Sequence, residues 1–201
     1  MDTVLQHFKK NDPILYPYFL KYGVPEPIKK DLPNNYFLRL CRDILGQQLS
    51  GKASDAILKR FHSLFSNSQI LPSEVLAIPH ERLRGAGMSH AKARYVRNIA
   101  EAVENGLLPI SKIDTMSDEE VIVELTRIKG VGPWTAEMFL IFTLGREDVF
   151  SQGDLGLRNA MKKIYPFKKE PTKKQVEKIV RRWSPYRSFA SRILWMSLDN
   201  R

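Results

Sequence analysis

Apolar residues recur three and four positions apart along most of this chain, which is the spacing of an amphipathic helix. No segment alternates apolar and polar residues as a half-buried strand does. Residues that commonly begin helices precede several of the apolar runs. The expected N-caps are Asn34 or Asn35, Ser50, Ser89, Ser117, Asp154 and Thr172, and further helices are expected after Pro133 and from Pro185. The sequence therefore predicts an all-α fold.

Cysteine and histidine usage limits the chemistry open to the chain. Its 201 residues include one cysteine, Cys41, so an internal disulfide, a Cys-ligated iron–sulfur cluster and a multi-cysteine zinc site are excluded. His7, His62, His80 and His90 are scattered and lack the spacing of metal ligands. We therefore expect no metal held by side chains.

The sequence also lacks targeting and membrane signals. The N-terminal residues carry charges and contain no apolar run ahead of a small-residue cleavage site. The longest strongly apolar stretch, Met138–Leu144, is too short to span a bilayer. This pattern predicts an intracellular protein of the cytoplasm or nucleoid, or of the nucleus in a eukaryote.

Positive charge is concentrated near the end of the chain. The net charge is +10, and residues 151–201 carry 13 basic and four acidic residues, a net +9. Charge confined to one segment favours a polyanionic partner, above all nucleic acid. A solvated helix face is the alternative, whereas a membrane surface is disfavoured because the segment lacks a clean amphipathic helix.

A short motif occurs twice. Residues 83–91 and 128–136 share the pattern apolar, basic, Gly, small apolar, Gly, three variable residues and Ala. Each copy is expected to form a tight hairpin between two helices, with Gly130 and Gly132 adopting positive φ. Pro133 would then open a helix whose amides bind phosphate. A plain turn between packed helices is the alternative.

Two aspartates follow the second hairpin. Asp154 precedes a helical pattern, so it is either an N-cap or a catalytic carboxylate placed near the sugar of an extruded nucleotide. Asp148 stands before Val149 and Phe150, which suggests a structural role at the end of a loop.

Four motifs in this order resemble the helix–hairpin–helix DNA glycosylase superfamily, and within it the 3-methyladenine DNA glycosylase II branch of alkylation repair. They cover about residues 35–197. The motifs are Gly46-Gln-Gln-Leu-Ser50 with Lys52-Ala53, Ile128-Lys-Gly-Val-Gly-Pro-Trp-Thr-Ala136, Asp148-Val-Phe-x-x-x-Asp154 and Trp183-Ser-Pro-Tyr-Arg-Ser-Phe-Ala190. The resemblance implies a two-lobed helical fold with the active-site cleft between the lobes.

The resemblance also implies roles for individual residues. It makes Asp154 the catalytic carboxylate and the hairpin the phosphate-binding element, whose backbone carbonyls often hold a monovalent cation in this superfamily. It makes Trp134 and Tyr186 base-pocket residues, and Gln48 and Leu49 the residues that fill the gap left by a flipped base. The hairpin residues are Lys129, Gly130, Val131 and Gly132. From the residues alone, Trp134 could belong to the core, Tyr186 to surface packing and Gln48 to a helix C-terminus.

The reaction implied is hydrolysis of the N-glycosidic bond of alkylated purines in double-stranded DNA, with no cofactor required. Bifunctional members use a lysine two residues after the second hairpin glycine, and Trp134 occupies that position here, so no lyase activity is expected. Met138 and Leu155 stand where related enzymes place aromatic pocket residues, and the roughly 35 residues ahead of the first matched helix are too few for their additional N-terminal domain. Substrate range is therefore less defined than reaction type.

The domain organisation is expected to be a single catalytic unit over residues 1–201, acting as a monomer. Residues 38–145 would form one lobe that ends in the hairpin motif, and residues 1–37 with 146–201 the second, basic lobe. Two alternatives remain: a non-catalytic helix–hairpin–helix DNA-binding protein, and a glycosylase for another damaged or mismatched base.

Overall fold

A computed structural model describes residues 2–49, 51–66 and 69–199 of the chain. All regular secondary structure in these ranges is helical, which confirms the predicted all-α class. The α-helices are α1 (Asp2–Asn11), α2 (Tyr16–Tyr22), α3 (Tyr36–Gly46), α4 (Gly51–His62), α5 (Pro72–Ala77), α6 (His80–Gly85), α7 (His90–Glu104), α8 (Asp118–Thr126), α9 (Pro133–Phe142), α10 (Leu155–Ile164), α11 (Lys173–Val180) and α12 (Arg187–Asp199). Short 3₁₀ helices cover Pro33–Asn35, Ile110–Thr115 and Arg181–Trp183.

Four of the predicted N-caps form as expected, among them Asp154 at the start of α10. The hydroxyl of Ser89 accepts a hydrogen bond from the Lys92 amide at 3.2 Å and starts α7. Ser117 and Thr172 start α8 and α11 with complete capping boxes, in which a side chain three residues later bonds back to the cap amide. These helices begin where the sequence indicates because a cap is a contact across only three residues.

Other predicted boundaries differ or lie outside the described residues. Asn35 precedes α3, but its amide group donates to Asp31 at 2.7 Å instead of capping the helix. The last helix begins at Arg187, two residues after Pro185. Ser50, the expected cap of α4, lies outside the described residues.

The chain divides into two compact units, a central unit of residues 30–144 and a terminal unit of residues 1–29 with 145–201. The sequence places residues 30–37 with the terminal segments, and that boundary is wrong. Lys30 Nζ lies 2.7 Å from Asp114 Oδ2, and the Asp31 amide donates to the Thr143 carbonyl at 2.9 Å. These contacts fix the segment to the central unit.

The terminal unit is held together by an aromatic core around one buried carboxylate. Asp12 is fully buried, and its Oδ2 accepts hydrogen bonds from Tyr165 Oη and Trp183 Nε1, both at 2.7 Å. The Leu15 amide donates to Oδ1 at 3.1 Å. Because a buried polar group is costly without hydrogen-bond partners, all three bonds stabilise the carboxylate, and those from Tyr165 and Trp183 tie the N-terminal helices to the C-terminal segment.

The central unit is built around α3. Six of its side chains are buried: Tyr36, Phe37, Leu40, Cys41, Ile44 and Leu45. Helices α4, α7 and α9 pack against it. The turn that follows α3 and the turn that precedes α9 are therefore parts of one compact unit, and both carry predicted site residues. None of the helices in the described part of the chain is long and apolar enough to cross a membrane.

Candidate active site

The hairpin before α9 depends on one glycine for its backbone conformation. Gly130 has φ +112°, which side chains rarely adopt, and a Cβ at this position would lie 2.2 Å from Cγ of Tyr95. Gly132 differs, because its φ of −96° is ordinary and nothing lies within 4 Å of a Cβ built there. The prediction of positive φ is confirmed for Gly130 and is wrong for Gly132.

The repeated motif does not superpose in the register that the sequence suggests. In the first copy Gly87, rather than Gly85, has positive φ, at +97°. Ser89 then caps α7, just as Gly132 stands at the N-cap of α9, two residues after Gly130. In structure, Gly87 therefore corresponds to Gly130 and Ser89 to Gly132, two residues away from the pairs that the sequence alignment of the repeats gives.

The hairpin carbonyls already take part in hydrogen bonds. The Lys129 carbonyl accepts from Asn98 Nδ2 at 2.8 Å, and the Gly130 carbonyl accepts from Gln47 Nε2 at 3.4 Å. The Val131 amide closes the turn by donating to the Ile128 carbonyl, and the Val131 side chain is buried. The side chain of Lys129 is exposed. Backbone contacts therefore hold the hairpin in place while its cationic side chain faces solvent.

Gln48 and Leu49 form an exposed turn directly after α3. Gln48 has φ +58°, and Leu49 is 40% exposed. The ammonium of Lys92 donates to the carbonyls of Leu45 and Gln47 at 2.8 and 2.7 Å, and burial lowers the pKa of that ammonium. The turn thus follows a helix C-terminus, as in the alternative interpretation of Gln48, and the half-buried ammonium of Lys92 holds its shape.

Gln47, which sequence reasoning passed over, joins this turn to the hairpin helix. Its Nε2 donates to Thr135 Oγ1 at 2.9 Å, in addition to its longer contact with the Gly130 carbonyl. The resemblance to the family implies a role for its neighbour Gln48 and none for Gln47. The Gln47 side chain therefore links the turn after α3 to the hairpin before α9, which are the two turns of the central unit predicted to contact DNA.

Trp134 and Met138 lie on the same helix in opposite environments. Trp134 is 38% exposed in the first turn of α9, which rules out its assignment to the core. Met138, one turn later, is buried with 7% exposure and belongs to the core of the central unit. An indole partly open to solvent offers an aromatic face to a ligand.

Asp154 is the N-cap of α10 and is held by two donors. Its Oδ1 accepts from the Leu157 amide at 2.7 Å and from the indole Nε1 of Trp195 at 3.1 Å. A Cβ on Gly156 would lie 3.0 Å from the same oxygen and 3.3 Å from the Trp195 ring. The cap interpretation is therefore correct, and an indole from α12 also orients the carboxylate. Leu155, beside it, is 67% exposed.

Sequence reasoning missed Trp195 because 41 residues separate it from Asp154. The helical pattern of the C-terminal segment contained a tryptophan, but no local signal indicated which residue its indole would reach. Gly156, the second residue of α10, carried a weaker signal, since glycine lowers helix propensity and its presence indicates that another group lies close to it.

Asp148 has the structural role that the sequence suggested. Its two carboxylate oxygens receive Arg187 Nε at 2.7 Å and Arg187 Nη2 at 2.9 Å, while Ser184 Oγ donates at 2.7 Å. Burial alone would raise the pKa of Asp148, but the hydrogen bonds from Arg187 and Ser184 outweigh it and hold this pKa below its usual value. A carboxylate enclosed in this way fixes a loop and is poorly placed to act on a substrate.

Tyr186 lies in an aromatic cluster of the terminal unit. Its ring makes edge contacts with His7 at 5.2 Å and with Phe189 at 5.9 Å between centroids. The side chain is half-buried, which fits the packing alternative and leaves part of the ring exposed. Its role in a base pocket stays a prediction.

The positive charge follows the division into units. The terminal unit carries 18 basic and nine acidic residues, a net +9, whereas the central unit has a net +1. Some basic side chains are engaged locally: Arg187 with Asp148, Lys162 with Glu170 at 2.8 Å, and Lys163 with the Ser197 carbonyl at 3.4 Å.

An open groove lies beside the Asp154 loop within the terminal unit. It measures about 350 Å³ and is lined in part by Gly153, Arg158 and Lys173. Two cationic side chains therefore flank the approach to the loop that carries the proposed catalytic carboxylate.

The histidines are not all scattered. His80 Nε2 and His90 Nδ1 lie 3.3 Å apart, and a carboxylate oxygen of Glu81 lies within 4.8 Å of a nitrogen of each ring. The description of the histidines as scattered is therefore wrong for this pair, because the turn between α6 and α7 brings residues ten positions apart into contact.

The chain belongs to the HhH-GPD superfamily of base excision DNA repair proteins, whose family model matches residues 41–185. DNA-3-methyladenine glycosylase 1 of Schizosaccharomyces pombe is 40% identical over 158 residues, covering 78% of this chain and 69% of that protein. The 3-methyladenine DNA glycosylase of the same yeast, solved in complex with abasic DNA, superposes with a TM-score of 0.87 at 34% identity and covers 98% of this chain and 97% of that one. A DNA-3-methyladenine glycosidase from Bacillus halodurans gives a TM-score of 0.83 at 35% identity, over 98% of this chain and 89% of that one.

Proposed function

We propose that this protein is a monofunctional DNA glycosylase that hydrolyses the N-glycosidic bond of alkylated purines, of the 3-methyladenine type, in double-stranded DNA. The chain is an alkylbase glycosylase of base excision repair by family. The observation that carries the residue assignment is the Asp154 carboxylate, held by the Leu157 amide and the Trp195 indole at the start of α10.

The chemistry asked of Asp154 is modest. A purine alkylated at N3 or N7 carries positive charge, so its glycosidic bond is already weakened and the base leaves as a neutral molecule. The sugar then develops oxocarbenium character, which a nearby carboxylate stabilises, and the same carboxylate can accept a proton from the attacking water. Two donors on Oδ1 fix the direction in which the carboxylate faces, so less reorganisation is needed during reaction.

Recognition of the lesion is assigned to exposed aromatic surface. The partly exposed indole of Trp134 can stack on the extruded base, and a cationic base gains cation–π attraction that an undamaged base lacks. Tyr186 supplies a second ring in the terminal unit. Gln48 and Leu49, on a turn of fixed shape, would enter the stack where the base has left.

Binding to the DNA backbone is assigned to the hairpin and to the positive charge. The first amides of α9 follow Gly132, which has no side chain to cap them, so a phosphate can approach closely. A monovalent cation at the hairpin carbonyls stays part of the proposal. It would share the Lys129 and Gly130 oxygens with Asn98 and Gln47, and each carbonyl oxygen has a second lone pair.

The absence of lyase activity rests on the residue two positions after Gly132. A Schiff base requires an amine, and that position is Trp134. Borohydride treatment during turnover is therefore expected to trap no covalent complex with DNA. A trapped complex would contradict the monofunctional assignment.

Substitution of Asp154 by Asn tests the catalytic proposal. Asn caps helices as well as Asp, so the urea midpoint and DNA affinity should be retained. Release of 3-methyladenine from methylated DNA should fall by about 10²–10⁴-fold, the range expected for loss of a general base. Asp148→Asn is the matched control, because it removes a carboxylate from the Arg187 pair and should lower stability with a smaller effect on release.

Unchanged base release by the Asp154→Asn variant would favour the alternative, a helix–hairpin–helix DNA-binding protein in which Asp154 only caps α10. The remaining alternative is a glycosylase for another damaged or mismatched base, and base release from duplexes with alkylated, oxidised or mismatched bases would test it. Release of an oxidised or mismatched base in preference to an alkylated one would overturn the substrate assignment.

A further inference from the structure

Two histidines and a glutamate converge at the start of two consecutive helices in the central unit. His80 is the first residue of α6 and His90 the first of α7, and Glu81 lies in the first turn of α6. One ligand atom from each residue lies within 4.8 Å of the others. The imidazole rings are near parallel, with 15° between planes and 5.6 Å between centroids.

The nitrogens of the two rings are spaced as ligands of one metal ion. His80 Nε2 lies 3.3 Å from His90 Nδ1. Tetrahedral coordination with zinc–nitrogen bonds of about 2.0–2.1 Å places two ligand nitrogens about 3.3–3.4 Å apart. A neutral imidazole carries only one N–H, so the two nitrogens can share a proton, or, with neither protonated, can bind one cation that lies to the side of the line between them.

The third side chain, Glu81, favours a cation over an anion at this site. Glu81 brings a carboxylate to the cluster, which would repel a phosphate and neutralises part of the charge of a divalent ion. Its Oε2 lies 3.2 Å from Arg84 Nη1, and a carboxylate can hold an arginine with one oxygen and a metal with the other. Two imidazoles and one carboxylate suit Zn²⁺, Co²⁺, Ni²⁺ or Cu²⁺ better than Mg²⁺ or Ca²⁺.

The backbone around the site is fixed before any ion binds. Pro79 stands at the N-cap of α6, and the Ser89 side chain caps α7. The turn that joins the helices contains Gly87 at φ +97° and is held by Arg60, whose Nε donates to the Ala86 carbonyl at 2.8 Å. Binding therefore needs side-chain adjustment and little reordering of the backbone.

We propose that His80, Glu81 and His90 form a binding site for one divalent transition-metal ion, which braces the joint between α6 and α7. Three protein ligands leave a fourth position for water. The site is independent of the proposed glycosylase chemistry, because neither Asp154 nor the hairpin before α9 contributes to it.

Titration with Co²⁺ tests the proposal, since tetrahedral Co²⁺ gives intense visible absorption that octahedral aqueous Co²⁺ lacks. The full chain, without a histidine tag, should bind one Co²⁺ per molecule, and Zn²⁺ should displace it. The thermal midpoint should rise with Zn²⁺ concentration, because an ion that binds only the folded state stabilises it. Absence of saturable binding would overturn the proposal.

Substitutions of His80, Glu81 and His90 test whether these residues bind the metal ion. His80→Ala and His90→Ala should abolish the Co²⁺ absorption, and Glu81→Gln should weaken binding by at least about tenfold. His62→Ala is the matched control and should bind as the unsubstituted protein does. Because Glu81 is exposed, Glu81→Gln will fold even if a histidine variant does not. Equal affinity in the His62→Ala and Glu81→Gln proteins would refute the three-ligand site.

Discussion

Replacement of Gly130 by alanine separates two physical effects at the hairpin, and the structure gives a magnitude for each. At φ +112° a side chain costs about 1–3 kcal/mol in backbone strain. The new Cβ would also lie 2.2 Å from Cγ and 2.6 Å from Cβ of Tyr95, closer than any real contact, so the helix carrying Tyr95 or the hairpin must move. Overpacking of this kind costs about 1–3 kcal/mol.

The expected loss for Gly130→Ala is therefore about 2–6 kcal/mol of the free energy of unfolding, from a total that is typically about 5–15 kcal/mol. Urea denaturation followed by circular dichroism measures it. Gly132→Ala is the matched control, since its φ is ordinary and its Cβ would meet nothing within 4 Å. Because alanine is a poorer N-cap than glycine, that variant should lose at most about 1 kcal/mol, and it should also lose affinity for DNA if a phosphate approaches the Gly132 backbone.

The double variant Gly130→Ala with Tyr95→Ala separates the cost of backbone strain from the cost of overpacking. Removing the ring deletes the two nearest atoms but leaves Cβ at 2.6 Å, so the pair should recover only part of the packing loss and none of the φ strain. A Gly130→Ala protein as stable as the Gly132→Ala protein would refute the argument, as would full recovery in the double variant.

Three further predictions concern the carboxylates and the basic surface. Trp195→Phe removes the indole donor to Asp154 and should slow base release by about 10–100-fold in single-turnover assays. The urea midpoint should be nearly unchanged. Equal rates of base release in the variant and the parent would show that Trp195 does not contribute to the reaction. Burial raises the pKa of Asp43 to about 7 against the opposing charges of Arg42 and Arg39, and its Oδ2 is buried with no hydrogen-bond partner. Because the folded state keeps this proton to a higher pH than the unfolded state does, the carboxyl makes the protein less stable as pH rises from about 4 to 7, by at most about 1.4 kcal/mol per pH unit. Asp43→Asn should therefore gain thermal stability relative to the parent between pH 5 and pH 8, and a constant difference would contradict the buried carboxyl. Finally, DNA affinity should fall steeply with salt, and Lys173→Gln with Lys174→Gln should lower the slope of log K against log salt by up to about 2. An unchanged slope would show that these exposed lysines contact solvent and do not bind DNA phosphates.

Lys162, Lys163 and Arg187 should contribute less to this slope, because their side chains already bond to other groups of the protein. Arg187 is committed to Asp148 through two hydrogen bonds, so neutralising it should chiefly lower stability. A count of charges along the chain gives the excess over a segment, but it does not distinguish a lysine in solvent from an arginine that closes a loop.

Local signals predicted the all-α class and four of the helix caps. Ser89, Ser117 and Asp154 each start a helix because the side-chain oxygen bonds an amide three residues later, a contact that the sequence alone specifies. The same locality explains why the family motifs could be read in order. A motif lies within a few consecutive residues, so it can be recognised without knowledge of the tertiary contacts.

Only the tertiary structure decided which glycine the hairpin requires, which indole orients Asp154 and which histidines meet. Gly130 is constrained by Tyr95, and His80 meets His90 only because a turn reverses the chain. Each of these contacts joins residues that are distant in sequence or lie on different helices, and no periodicity or cap reports the direction in which two packed helices face one another. The sequence by itself determined the all-α class and the local start of each capped helix, whereas the geometry around the proposed catalytic carboxylate came from packing.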